Sequence, residues 1–231
     1  SPVMMQRLLM GLVRAYERLR FWLQSNTKRQ AKKNIHRHYD LGNDFYRLWL
    51  DDTMTYSSAI FRTGQESLEA AQTEKYRSMV DQMGARPGDH VLEIGCGWGG
   101  FAEYAARERG LRVTGLTISQ AQHDYAVARI AKAGLSDRVE IKLQDYRDER
   151  GTYDGIASIE MFEAVGERYW PVYFGALRDR LKPGRHATLQ IITVADARWE
   201  LYRKGTDFIQ QYIFPGGMLP APAVLRAEVE K

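Results

Sequence analysis

From residue 90 onward, short apolar runs alternate with amphipathic stretches of helical period. The apolar runs predict strands at 90–94, 112–118, 138–144, 154–160 and 186–193. The amphipathic stretches predict helices at 100–109, 119–133, 168–181 and 221–230, and a further helix is predicted before the first strand, at 66–83. Strands that alternate with helices are typical of a doubly wound α/β fold with a mostly parallel sheet.

The first 38 residues follow a different pattern. Residues 3–24 predict an amphipathic helix, because their apolar side chains recur at helical spacing while arginines occupy the other faces. Residues 25–38 are polar and basic, which indicates a linker or a frayed helix. We therefore divide the chain into an N-terminal helical extension or arm, 1–38, and a domain, 39–231.

Composition adds few constraints. The chain has 231 residues, of which 44% are hydrophobic and 27% charged, as in ordinary globular proteins. Its single cysteine, Cys96, excludes an internal disulfide and suits a reducing cytoplasm. No apolar run approaches the roughly 20 residues that span a bilayer, and the first residues do not resemble a secretory signal. We expect a cytoplasmic protein that is soluble or peripheral.

Charge is distributed unevenly. Residues 1–38 contain nine Lys or Arg and one acid, a net charge of +8, whereas the whole chain carries +4, which leaves −4 for the remainder. A basic amphipathic helix favours an anionic membrane surface, here the inner face of the membrane. A solvated helix that caps the domain or pairs two protomers is the alternative. The acidic remainder argues against a nucleic-acid partner.

The strongest motif follows the first strand. It reads Val-Leu-Glu-Ile-Gly-Cys-Gly-Trp-Gly-Gly over 91–100, with Glu93 two residues before Gly95 and Gly97 two residues after it. A glycine turn between a strand and a helix lets the backbone approach a ligand closely. The spacing resembles motif I of the class I methyltransferases, in which the acid faces the amino-acid end of S-adenosylmethionine. Cys96 is best explained as a small residue in a tight turn.

Two later strand ends fit an adenosine pocket. In the first, Ser119 is either part of the pocket or a plain helix N-cap. In the second, Asp145 is placed to accept from an exocyclic amine and Tyr146 to stack on a purine, although each could equally be an ordinary loop residue.

Six strings in one order carry a more specific resemblance. They are Tyr-Asp-Leu-Gly-Asn-Asp-Phe-Tyr from 39, Leu-Trp-Leu-Asp from 48, Met-Thr-Tyr-Ser-Ser-Ala-Ile-Phe from 54, the glycine turn, Gly-Leu-Thr-Ile-Ser from 115 and Phe-Pro-Gly-Gly from 214. Together they resemble the cyclopropane-fatty-acyl-phospholipid synthase family, which includes the mycolic acid cyclopropane synthases. The resemblance implies methyl transfer from S-adenosylmethionine to a cis double bond of an unsaturated phospholipid. It implies cofactor contacts at Tyr56, Ser57, Gly95, Gly97, Thr117, Ile118, Gln122 and Tyr146.

Methylation of an alkene builds a carbocation, so the site needs dryness, π-electron or negative charge density, and a base. Aromatic faces can stabilise a cation, and six aromatic residues lie close together in the sequence: Tyr39, Phe45, Tyr46, Trp49, Tyr56 and Phe61. Any of them could equally be core. Glu163 matches the active-site glutamate of the family, whereas Glu160 has only its position at a strand end to recommend it.

The chain departs from the family where ring-closing members hold bicarbonate as a base. The resemblance puts Ser58 at the family's cysteine and Gln190 at its histidine, while Glu163 and Ile192 are kept. Ala164 replaces another usual histidine, and a later tyrosine would fall beyond residue 231. Loss of a histidine should weaken anion binding. We therefore hypothesise either ring closure or methylation without it, and bicarbonate stays in doubt.

Other functions remain open on sequence alone. A methyltransferase of a small-molecule amine or hydroxyl would work without lipid, and a non-catalytic protein would bind the cofactor or a membrane and turn nothing over. No metal site is predicted, because His36 and His38 lack ligating partners at suitable spacing. The final antiparallel strand pair usual in class I methyltransferases is not evident after residue 193, which suggests a fragment.

Overall fold

In the computed structural model, five parallel strands form one sheet in the order β3-β2-β1-β4-β5. Their bounds are β1 His90–Ile94, β2 Arg112–Thr117, β3 Val139–Leu143, β4 Tyr153–Ile159 and β5 Leu181–Gln190. The chain winds outward from β1 in both directions, so a crevice opens at the carboxyl ends of the central strands, where such sheets bind ligands. The predicted doubly wound α/β fold is confirmed.

The structure describes residues 5, 6, 10, 26–39 and 42–231, without the side chains of 32, 36–39, 211 and 212. The α-helices of 26–231 are α1 Lys28–Tyr39, α2 Gly42–Arg47, α3 Leu68–Met83, α4 Gly100–Arg109, α5 Gln120–Lys132, α6 Trp170–Arg180, α7 Trp199–Lys204 and α8 Pro222–Val229. Within this described part, no helix combines the length and hydropathy needed to cross a bilayer.

The central strands β1, β2 and β4 are buried along nearly their whole length, which explains why they read as short continuous apolar runs. Successive side chains of a strand point to opposite faces, so Val91 packs among α3 and α4 while Leu92 packs on the other side. The second side is rich in aromatic residues, and Phe162 stacks on Trp170 with ring centroids 5.3 Å apart. Two rigid layers therefore fix the strand ends that border the crevice.

The predicted bounds of the fifth strand are wrong. It covers Leu181–Gln190 instead of 186–193, because Pro183 and Gly184 lie within it at an irregularity in the pairing of β4 with β5. The backbone leaves the strand after Gln190, where the N–H of Ile192 donates to the carboxylate of Glu163. A side chain distant in sequence thus ends the strand.

The basic segment at 25–38 contains a helix, α1, where the sequence predicted a linker or a frayed helix. Its start is set by Thr27, whose hydroxyl accepts from the N–H of Gln30 at 3.2 Å. The predicted amphipathic helix at 3–24 lies outside the described residues, apart from Met5, Gln6 and Met10, as do the side chains of His36 and His38.

Candidate active site

A cavity of about 500 Å³ opens at the carboxyl ends of β1, β2 and β4. This volume suits a small-molecule ligand. Twelve residues predicted for the site line it: Tyr56, Ser57, Glu93, Gly95, Gly97, Thr117, Ile118, Gln122, Asp145, Tyr146, Glu163 and Ile192. The sequence thus located parts of the cavity lining from six separate stretches of chain.

The glycine turn brings backbone into the cavity wall. Gly95 has a φ of 82°, and a Cβ atom there would lie 2.7 Å from Cγ of Met161. The N–H groups of Gly95 and Cys96 both donate to the carbonyl of Leu116, at 3.0 and 2.9 Å. Only glycine fits this left-handed, crowded position. Cys96 is buried, and burial raises the pKa of its thiol well above the ordinary value, in keeping with a structural role.

Glu93 is the most unusual charge in the cavity. It is 2% exposed, and its Oε2 atom has no hydrogen-bond partner. Burial raises the pKa of Glu93 to about 8, although Arg129 and Lys75 oppose the shift. An ionised carboxylate that is buried with one oxygen unpartnered is costly, and a cationic ligand would relieve that cost.

The ends of β2 and β3 supply the opposite wall. The hydroxyl of Thr117 donates to Oε1 of Gln122 at 2.9 Å, and Ser119 caps α5 by accepting from the N–H of Gln122. Ser119 is therefore a helix N-cap. Both carboxylate oxygens of Asp145 accept from the guanidinium of Arg147, at 2.8 and 2.6 Å, and Tyr146 exposes its ring to the cavity.

A hydrogen-bonded cluster of Glu160, Ser58 and Gln190 borders the cavity. Oε1 of Glu160 accepts from the N–H of Ser58 at 2.9 Å, from its hydroxyl at 2.6 Å and from Nε2 of Gln190 at 2.7 Å. Gln190 also donates to Oγ of Ser58 at 2.9 Å. Ser58 and Gln190, which replace the cysteine and histidine of the family pattern, therefore hold a carboxylate of the chain itself.

In the sequence, only its position at a strand end indicates that Glu160 belongs to the site. Its backbone φ is 47°, in the left-handed region that favours glycine. Such strain persists only where the surroundings enforce it, and it is concentrated at functional sites. The sequence offers one signal for this cluster, an acid at a strand end together with polar residues, Ser58 and Gln190, where the family has cysteine and histidine. Nothing in the sequence shows that the three residues are in contact.

Glu163 lies next to this cluster. Its Oε1 accepts from the N–H of Ile192, while its buried Oε2 has no partner. Burial raises the pKa of Glu163 to about 7, and the charge of Glu160 adds to the shift. The site thus combines two carboxylates in different environments, an arrangement that suits acid–base chemistry.

The aromatic cluster is only partly in the site. Tyr56 lines the cavity, and its ring lies 5.6 Å from that of the buried Tyr46. Phe45, Trp49 and Phe61 are between 41% and 49% exposed. The side chain of Tyr39 lies outside the described residues. Among the members whose side chains the structure describes, Tyr56 is the one that lines the cavity.

Helix α1 covers part of the cavity, which the sequence did not predict. Nδ2 of Asn34 donates to the carbonyl of Pro215 at 2.9 Å and to Asn26 at 2.8 Å, while Asn26 donates to the carbonyl of Ala164. Nη1 of Arg147 donates to the carbonyl of Asn26 at 3.0 Å. Polar side chains thus attach α1 to the domain, in a segment whose polar composition indicates a linker or a frayed helix.

Comparison with known proteins supports the resemblance. The family model described as mycolic acid cyclopropane synthetase matches residues 26–231. The chain belongs to this family. It is 45% identical over 203 residues to tuberculostearic acid methyltransferase of Mycobacterium tuberculosis, covering 85% of this chain and 47% of that protein. It is 40% identical over 184 residues to cyclopropane-fatty-acyl-phospholipid synthase of Escherichia coli, covering 80% and 46%.

Among solved structures, the mycolic acid cyclopropane synthase CmaA1 in complex with SAH and CTAB superposes with a TM-score of 0.78 at 30% identity. The match covers 85% of this chain and 72% of that one. The chain spans about half the length of the two curated relatives above. Fold and family are thereby established.

The cavity of this cyclopropane synthase family member fits S-adenosylmethionine by its own chemistry. The cofactor carries an ammonium group, a carboxylate and an adenine. Glu93 offers an unpartnered buried carboxylate oxygen to a cation, Ser57 a hydroxyl to an anion, and Tyr146 an aromatic face to a base. These three residues are distributed around one cavity, as a ligand with three chemically distinct ends requires.

Proposed function

We propose that the chain transfers a methyl group from S-adenosylmethionine to the cis double bond of an unsaturated phospholipid acyl chain and does not close a cyclopropane ring. The observation that carries the proposal is the Glu160 carboxylate, held by Ser58 and Gln190 at the border of the cavity. When bound, S-adenosylmethionine supplies an electrophilic methyl group, and the alkene electrons form the new carbon–carbon bond as the methyl–sulfur bond breaks.

The residues around the cavity suit the cation that the lipid then carries. Tyr56 offers its ring face, and the carboxylates of Glu160 and Glu163 offer negative charge. The apolar remainder of the lining excludes water, which would otherwise trap the cation as an alcohol. Ile192 and Ile209 are among these apolar lining residues.

Glu160 is proposed as the base that accepts the departing proton. Three hydrogen bonds fix its Oε1 and leave the carboxylate an acceptor beside the cavity. In ring-closing relatives the resemblance implies a bicarbonate held at the positions of Ser58 and Gln190. Here those two side chains already bind a carboxylate, whose negative charge disfavours a second anion at the same place.

The names of the relatives leave the product open, because one is called a methyltransferase and the other a cyclopropane synthase. The geometry of Glu160 supports methylation without ring closure. Loss of a chain proton to Glu160 would give a methyl-branched alkene, whereas loss of a proton from the new methyl group with bond formation to the cation would give the ring.

The test uses trideuteromethyl S-adenosylmethionine and vesicles of a cis-monounsaturated phospholipid, in buffer with and without bicarbonate. The acyl chains are then analysed by mass spectrometry and proton NMR. A branched alkene formed equally with and without bicarbonate supports the proposal, whether it keeps three deuteriums or, after a hydride shift, two. A saturated ring with two deuteriums contradicts it. Label in a small amine or hydroxyl acceptor alone would indicate a different class of methyltransferase.

A further inference from the structure

Lys75 is a fully buried lysine behind the cavity wall. It lies on α3 with an exposed fraction of 0%. Its Nζ donates to Oγ of Ser57 and, at 3.0 Å, to the carbonyl oxygen of Ser58. A lysine is almost never fully buried unless it is paired, so this position calls for an explanation beyond packing.

The contact with Ser57 fixes the direction of a hydroxyl. An ammonium group donates hydrogen bonds and cannot accept them, so Oγ of Ser57 must act as the acceptor. The hydroxyl proton of Ser57 then points away from Lys75, and Ser57 lines the cavity. Nε2 of Gln72 holds the carbonyl of Ser57 at 2.8 Å, which keeps the backbone in place. Ser57 is thereby set as a donor toward a ligand anion.

The contact with Ser58 acts on the other half of the site. The Ser58 carbonyl accepts from Lys75 at 3.0 Å and from Gln190 at 3.3 Å. With its carbonyl fixed on that side, the N–H and hydroxyl of Ser58 both reach Glu160. One ammonium group therefore supports two adjacent serines that face different partners.

Lys75 is also the buried positive charge among several acids. Glu160 at the end of β4, Asp51 after α2 and Glu93 on β1 act on it, and its own helix presents the ring of Tyr76 at 5.2 Å. Burial lowers the pKa of Lys75 to about 8, while the three acids oppose that shift. The side chain is therefore mainly an ammonium at neutral pH.

We infer that Lys75 is a positioning residue that directs Ser57 to donate to the carboxylate of S-adenosylmethionine and directs Ser58 to Glu160. The inference deepens the proposed function and rests on it for the Glu160 half. The cofactor half needs only that the cavity binds the cofactor, so the two halves can fail separately.

Calorimetric binding tests the cofactor half without lipid. The probes are S-adenosylhomocysteine, which has the carboxylate, and methylthioadenosine, which lacks the amino-acid end. We expect Lys75→Met and Ser57→Ala each to weaken S-adenosylhomocysteine binding roughly tenfold or more, as for loss of a charge-assisted hydrogen bond, and to leave methylthioadenosine within about twofold. The double variant should bind no more weakly than either single one.

Lys132→Met is the matched control, since Lys132 is an exposed lysine at the end of α5. Lys75→Arg, which keeps a charged donor, should recover part of the affinity and guards against misfolding of Lys75→Met, with circular dichroism as a check. Equal weakening of both probes, or additive effects in the double variant, would overturn the cofactor half.

The Glu160 half is tested by turnover with lipid. Lys75→Met should lower kcat even at saturating S-adenosylmethionine, and should lower it little further when combined with Glu160→Gln. An unchanged kcat would contradict this half. If wild-type protein labels no lipid while the binding results hold, the proposed function fails and the assignment of Lys75 to the cofactor carboxylate stands.

Discussion

At the scale of single residues, the two carboxylates of the cavity differ in their hydrogen-bonding environment. Oε1 of Glu160 accepts three hydrogen bonds, whereas Oε2 of Glu163 is buried without a hydrogen-bond partner. Replacement of Glu160 by Gln keeps the shape and removes the base. We expect kcat for lipid methylation to fall by about 10² to 10⁴, the range typical of general-base loss, with little change in S-adenosylhomocysteine binding. Parallel turnover and calorimetry measure both, and an undiminished kcat would remove Glu160 from the mechanism.

The raised pKa of Glu93 predicts that the protein releases a proton when it binds the cofactor. Because its pKa is about 8 in the free protein, it is mainly protonated at pH 7. A cationic ligand group beside it favours the ionised form, so binding of S-adenosylhomocysteine should release a proton and strengthen from pH 6 to pH 8. Calorimetry in two buffers of different ionisation enthalpy detects the release. Glu93→Gln should abolish both the release and this pH dependence; persistence of either would assign the proton to another group.

The same pKa has a consequence for stability. A folded-state value above the ordinary value near 4.5 means that Glu93 supports the fold fully below that pH, and that this support is lost as the pH rises through about 8. In the absence of ligand, Glu93→Gln should therefore gain on the wild type in free energy of unfolding as the pH rises from 5 to 9. Urea unfolding at several pH values measures the difference, and a constant difference would contradict the assignment.

The sequence located twelve lining residues of the site but missed how they are connected. Four residues that line the cavity are identifiable because each lies in a recognisable string: Ser57, Glu93, Gly95 and Glu163. Glu160 and Lys75 were missed because their importance depends on contacts made across about 100 and about 18 positions of sequence. Nothing local to either residue marks those contacts.

At the scale of secondary structure elements, α1 is attached to the domain by a few polar contacts. Asn34 connects it to Asn26 and to the carbonyl of Pro215. We expect Asn34→Ala to destabilise the docked helix by about 1 to 2 kcal/mol, the usual value of one or two lost hydrogen bonds. Amide exchange in 28–39 should quicken and S-adenosylhomocysteine should bind more weakly, since Asn34 also lines the cavity. Arg29→Ala, an exposed position on the same helix, serves as control; equal effects would contradict the role of Asn34.

Element type was predictable wherever burial dictates the pattern. The helix at 100–109 was predicted with its observed bounds, and β1 likewise, since both are packed on the core. β5 was shifted by several residues because Pro183 and Gly184, which normally indicate a turn, are absorbed in an irregular pairing. The pairing with β4 therefore determines the bounds of β5 more than the turn propensity of Pro183 and Gly184 does.

At the scale of the whole molecule, the charge distribution predicts a preferred orientation of the protein on an anionic membrane. Arg29 and Lys33 are exposed on α1, the helix whose Asn34 and Ile35 line the cavity, whereas the amino ends of the strands lie at the opposite edge of the sheet. Each basic residue near an anionic surface contributes about 1 kcal/mol, so Arg29→Gln with Lys33→Gln should weaken binding to anionic vesicles about thirtyfold. Sedimentation with anionic and zwitterionic vesicles at two salt concentrations measures this effect.

The control for that experiment removes the same charge elsewhere. Lys132 and Arg138 are exposed at the end of α5 and before β3, away from the cavity. Their replacement by Gln should leave vesicle binding within about threefold of the wild type. If both pairs weaken binding equally, attraction depends on total charge and the N-terminal arm does not orient the protein.

The left-handed backbone of Glu160 means that a single nucleotide change, from a glutamate to a glycine codon, is compatible with the fold. Glutamate and glycine codons differ only in their second base, and glycine adopts a φ of 47° without strain, so Glu160→Gly should fold about as well as the wild type. That change would leave Ser58 and Gln190 facing a space the size of a small carboxylate. Formate or bicarbonate added from solution is expected to enter this space, so that a free anion would replace the proposed base of the chain. On the proposed mechanism, one nucleotide change would thus exchange a base held by the chain for one supplied by the solvent, and the rate of methylation would then depend on the concentration of that anion.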